Sequence, residues 1–202
     1  MENYTSIFPE SAFPNLGTLI LHFIPWHSQL GAISASLSKH GGHLHTIHLT
    51  YRSQHEHLLP ASALFPIFNQ SCPNLREVIF TLTALLIEPQ LELCAKERNP
   101  LRGVTTFSVQ MTDPPDARGW SRMGEGHWML LLDLVSYWAV RLLDPEQICF
   151  SEDTNVDTLR DSSHADEVQT FLDDIELLTV SRKRTIAVKD RFGEPLQVRH
   201  GA

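Results

Sequence analysis

The sequence predicts an α/β solenoid with a parallel sheet on one side and helices on the other. Three observations predict it. First, a phrase recurs: an apolar residue, two spacers, a second apolar residue, one spacer, a third apolar residue. It reads Leu16-Gly-Thr-Leu19-Ile-Leu21, Leu44-His-Thr-Ile47-His-Leu49 and Leu75-Arg-Glu-Val78-Ile-Phe80. Second, the starts lie 28 and 31 residues apart. Third, a helix-length segment separates each pair. A strand phrase returning at that period is the pattern of a short, irregular leucine-rich-repeat-like solenoid. Such repeats present an extended surface and usually bind rather than catalyse.

The elements follow in order. Pro14 and Asn15 lead into a first strand over 16–23, which Pro25 stops. Leu30, Ile33 and Leu37 then fall on one face of a helix over 28–40. Gly41-Gly42 ends that helix, because glycine adopts a left-handed cap at little cost. A second strand covers 44–51. Pro60 opens the next helix, which buries Leu64, Phe65 and Phe68, and Pro73 closes the unit. A third strand covers 75–82. A helix from Pro89 turns Leu91, Cys94 and Ala95 inward and stops before Pro100.

Beyond this point the pattern decays. Leu101-Arg-Gly-Val104 starts the phrase again, but its third position is Thr106, while Phe107 and Val109 have the other parity. A bulge or a shifted register would account for this. Residues 111–126 form a loop rich in proline and glycine. A helix over 128–135 precedes Tyr137-Trp-Ala-Val140-Arg-Leu142, which fits the phrase and is expected to be a strand. Residues 1–150 thus make the solenoid. Residues 151–202 make a loop, a helix and a β-hairpin that cap it within the same globular unit. The helix follows Ser163-His-Ala-Asp166, a capping-box-like start, and spaces Val168, Phe171, Leu172 and Ile175 along one face. The hairpin pairs 185–188 with 196–198 around a turn at Gly193.

Composition narrows the class of function. A chain of 202 residues with 42% hydrophobic and 20% charged content can bury a sizeable core. A net charge of −8 repels phosphate backbones and argues against nucleic acid as a partner. Arg182-Lys183-Arg184 is the only dense basic run. Three widely separated cysteines, Cys72, Cys94 and Cys149, suit a reducing compartment better than a disulfide framework. The N-terminus lacks the basic and apolar regions of a secretory signal. No apolar run approaches the roughly 18 residues of a membrane span. A cytoplasmic or nuclear location without membrane contact is expected.

The words themselves are distinctive. Ser38-Lys39-His40-Gly41, Cys72-Pro73-Asn74-Leu75-Arg76-Glu77 and Val140-Arg141-Leu142-Leu143-Asp144 resemble repeats of fungal, especially basidiomycete, F-box and leucine-rich-repeat-like proteins. The resemblance covers about residues 13–150. It implies repeats that hold a protein substrate for a ubiquitin-ligase assembly, and it supplies no catalytic residue. F-box helices are absent from the sequence, so the chain reads as the repeat portion alone.

Three candidate sites emerge. In the repeat phrase the spacers point out from the sheet. The outward row on the concave face is then Ile20, His48, Ile79 and Arg141, flanked by Thr46, Thr50 and Glu77. Outward apolar residues invite a protein or peptide partner, unless loops or helix ends cover them. The second candidate is a histidine cluster, His40 to His57, in which His43/His45 and His55/His57 form His-x-His pairs suited to zinc, copper or nickel. A solvated polar surface or a pH-responsive patch competes with metal. The third is a loop with Asp113, Asp116, Glu125 and His127, which solvated charges explain as well as acid–base chemistry. No nucleophile elbow, phosphate loop or dinucleotide fingerprint is present, so neither an enzyme nor a cofactor is expected. The expected role is a non-enzymatic protein-interaction module, with metal binding as the alternative.

Overall fold

The computed structural model describes residues 16–23, 29–51, 61–82, 100–111, 132–139, 145–150, 165–183, 185–189 and 193–196. They form an α/β fold whose single sheet has six strands in sequential order. The strands are β1 (Thr18–Phe23), β2 (Thr46–Tyr51), β3 (Glu77–Leu82), β4 (Thr106–Met111), β5 (Gln147–Phe150) and β6 (Ala187–Lys189). Every neighbouring pair is parallel. Parallel neighbours need a crossover connection. Four helices occupy the described parts of those connections: α1 (Gln29–His40), α2 (Phe65–Ser71), α3 (132–139) and α4 (Ala165–Arg182).

Alternation along each strand sorts the side chains. Ile47, Val78, Phe107 and Ile148 share one inward row, and Leu49, Phe80, Val109 and Phe150 share the next. All eight are at most 2% exposed. They join one core with Ile33 and Leu37 of α1, Phe65 and Phe68 of α2, Leu132 and Val135 of α3, and Phe171 and Ile175 of α4. Trp138 fills the centre. Its ring lies 4.1 Å from Phe80, 5.5 Å from Phe107 and 5.7 Å from Phe65. Edge-on and offset contacts at these distances suit the quadrupoles of the rings. The indole Nε1 has no hydrogen-bond partner among the described residues.

The strands share a common start. The Gly17 carbonyl accepts from the amides of His45 and Thr46, and the His45 carbonyl accepts from Arg76 and Glu77. The Arg76 carbonyl accepts from Thr105 and Thr106, and the Thr105 carbonyl accepts from Glu146 and Gln147. One carbonyl therefore anchors two amides of the following strand, four times in succession.

Several expectations are corrected. The fourth phrase starts at Val104 and not at Leu101: Phe107 pairs with Val78, and Val109 with Phe80. No bulge is required. Gly103, at φ 77°, turns the chain so that Leu101 and Val104 are both buried. The fifth phrase is not Tyr137–Leu142, because helix continues through Ala139. It is Pro145-Glu-Gln-Ile148-Cys-Phe150, with Pro145 buried in the place of the first apolar residue. In the tail, 185–189 does not form chiefly a hairpin. β6 pairs in parallel with β5, and only a single antiparallel bridge joins Lys189 to Pro195. Gly41 is not a left-handed cap either. A side chain there would lie 2.4 Å from the Ser71 carbonyl oxygen, so close packing of the α1 and α2 ends excludes a Cβ.

The helix expected from Pro89, the loop over 112–126, Pro60 and Ser163 lie outside the described residues. Among the described residues no helix is long and apolar enough to cross a membrane.

Candidate functional site

The outward face of the sheet is built by the spacers of the phrase. Register puts Ile20 opposite His48 and His48 opposite Ile79, so these three form one row across β1, β2 and β3. Parity alone fixed this, since a two-residue period leaves each strand only two faces. The row continues through Ser108, Cys149 and Lys189. Arg141, assigned to the row from the sequence, lies outside the described residues, and Cys149 holds the β5 position.

Accessibility varies along this face. Ile20 is 52% exposed, while His48 and Ile79 are half-buried. Thr46 and Glu77 are half-buried in the preceding row, which also includes exposed Thr18. In the following row Thr50 and Thr81 are only 3% exposed. Ser108 is buried as well. Thr50 is withdrawn from solvent although its strand face is outward. On β1 to β3 the accessible outward residues are Thr18, Ile20, Thr46, His48, Glu77 and Ile79, and on β4 to β6 Thr106, Gln110, Gln147, Cys149, Ala187 and Lys189 are half-buried or exposed.

Hydrogen bonds stiffen this surface across strands. Thr46 Oγ1 donates to Glu77 Oε2 at 3.0 Å, and Ser108 Oγ donates to Glu77 Oε1 at 3.3 Å. The Glu77 carboxylate thus ties β2, β3 and β4 together. Thr81 Oγ1 donates to Gln110 Oε1 at 2.9 Å and is also bonded to His48 Nε2. A hydroxyl carries one proton. With that proton given to Gln110, His48 must be the donor, which fixes the proton on Nε2. Ser108 and Gln110 were missed in the sequence because the fourth phrase was set three residues early. Val104-Thr-Thr-Phe107-Ser-Val109 carried the signal that would have found them.

The other candidates fare differently. His43 and His45 are exposed, and His55 and His57 lie outside the described residues. No group of three or more potential metal ligands occurs among the described residues. Asp113, Asp116, Glu125 and His127 also lie outside them. A cleft of about 370 Å³ opens beside the end of α2, lined by Pro66, Pro73, Pro100, Asn69, Arg102 and Cys72. Both ends of the Asn69 amide are engaged there: Nδ2 donates to the Pro100 carbonyl, and Oδ1 accepts from the Arg102 amide. Burial pushes the Cys72 thiol up from 9.0 to about 11. It stays protonated at neutral pH and is no nucleophile.

Comparison with protein-family models, with curated proteins and with solved structures finds no match.

Proposed function

We propose that the chain is a non-enzymatic protein-interaction module of leucine-rich-repeat-like solenoid character, with residues 151–202 capping its last turn. It takes a protein or peptide partner on the outward face of β1, β2 and β3. One observation carries the reading: Ile20, 52% exposed, stands in line with half-buried His48 and Ile79 on a face stiffened by cross-strand hydrogen bonds. Large apolar side chains on a rigid, pre-organised surface gain affinity without an ordering cost. Covering Ile20 removes apolar area worth on the order of 1 kcal/mol. The resemblance of the repeat words points to substrate recognition within an F-box-type ubiquitin-ligase assembly.

Affinity capture from source-cell lysate with wild type and Ile20→Lys tests the reading. The expected result is a specific protein lost in the variant at unchanged Tm, with ubiquitin-ligase subunits among the captured proteins. Retention of every captured protein by Ile20→Lys overturns the docking face. A collapse in Tm instead makes Ile20 a core residue.

A further inference from the structure

On β1 to β3 the open face presents one carboxylate, Glu77, and among the described residues it has no counterion. Glu77 is half-buried in the middle of three strands. Its side-chain bonds come from two neutral hydroxyls, Thr46 and Ser108, one on each flanking strand. Among the described residues no lysine, arginine or histidine forms an ion pair with it. Each carboxylate oxygen has more than one acceptor position, so the two hydroxyls fix the group's orientation without saturating it. A partly desolvated carboxylate held in place by neutral donors is arranged to receive a cation.

We infer that the face selects a basic, apolar segment: a lysine or arginine seated on Glu77, with a large apolar side chain over Ile20. This rests on the docking face proposed above and adds its chemistry. Glu77 lies one outward row and two strands away from Ile20. With strand rise and spacing of about 3.3 and 4.8 Å, the two anchors are about 12 Å apart. An extended peptide spans this with the basic and apolar residues three or four positions apart. The net charge of −8 steers such a segment toward the protein. Thr50, Thr81 and Ser108 are buried beside the patch that holds Ile20 and Glu77.

The test is selection of random 12-residue peptides displayed on phage against the full chain, followed by titration of a selected synthetic peptide. The expected consensus pairs a lysine or arginine with a large apolar residue. Ile20→Lys is expected to abolish binding. Glu77→Gln keeps one carbonyl oxygen to accept from one hydroxyl and offers an NH2 that donates to the other, and it is expected to weaken binding tenfold or more, with most of the salt dependence lost. If Glu77→Gln misfolds, exchanging lysine for norleucine in the peptide makes the same measurement from the other side. A consensus without basic residues that still needs Ile20 overturns the inference and leaves the docking face standing. Selected peptides that ignore Ile20, or no enrichment, overturn both.

Discussion

Gly41 and Gly42 are neighbours under opposite constraints. A Cβ at Gly41 would meet the Ser71 carbonyl at 2.4 Å and Cys72 Sγ at 2.9 Å, whereas a Cβ at Gly42 meets nothing within 4 Å. Gly41→Ala must displace backbone and should cost about 1–3 kcal/mol, as overpacking does. Gly42→Ala should be neutral or stabilise by up to about 1 kcal/mol through the unfolded chain. Denaturant midpoints of the two variants check this. The pair was visible in the sequence as a helix stop, but the reason for Gly41 was not, because a contact with Ser71 some 30 residues away leaves no local trace. Cys72 gives a second prediction. Its folded thiol titrates near 11 and its unfolded thiol near 9.0. Between those values the unfolded state has lost the proton and the folded state has kept it. Stability is therefore fully present below pH 9 and falls as pH rises toward 11, by on the order of 2 kcal/mol. A urea series over that range should show the fall in wild type and not in Cys72→Ala.

At the scale of the element, the first three strands and α1 were legible because alternation and helical spacing are local. The fourth and fifth strands were not. Leu101 competed with Val104 for the same place in the phrase, and both proved to be buried. Tyr137 to Ala139 satisfied the strand phrase and the helical pattern at once. In the helix the indole of Trp138 packs against Phe65, Phe80 and Phe107 together. Trp138→Ala should cost about 3–5 kcal/mol. Trp138→Phe should cost much less, because it keeps an aromatic ring and removes an Nε1–H that has no partner among the described residues. Thermal unfolding of both variants decides the point, and equal losses would contradict it. The end of α4 provides another case. Lys183 adopts φ 54°, where glycine is preferred. Lys183→Gly should stabilise the protein by about 1 kcal/mol, a Tm gain of about 2–4 °C for a chain of this size.

At the scale of the whole molecule, the sequential order of parallel strands followed from the recurring phrase. The role of the tail did not. Residues 185–189 are short, flanked by turn residues and easily taken for one arm of a hairpin, yet they extend the sheet alongside β5. Phe171 of α4 lies 6.0 Å from Phe150 of β5, and Ile175 joins the same core. Residue 150 is thus no boundary at which the chain can be divided. Removing 151–202 leaves Ile148 and Phe150 without their cover and frees the edge of β5. The shortened chain should aggregate or lose its cooperative transition, as read by light scattering and calorimetry. A sharp, reversible transition in that chain would show that the tail is independent.

The shared carbonyls at the strand starts have a consequence for how this protein tolerates change. Strand starts at 18, 46, 77, 106, 147 and 187 are separated by 28, 31, 29, 41 and 40 residues. The alignment of neighbours nevertheless holds, because Gly17, His45, Arg76 and Thr105 each reset it locally. Length errors do not accumulate from one unit to the next. Extra chain, such as a recognition loop or a label, is therefore best grafted between one strand's end and the following anchor, where loop closure grows only slowly with length.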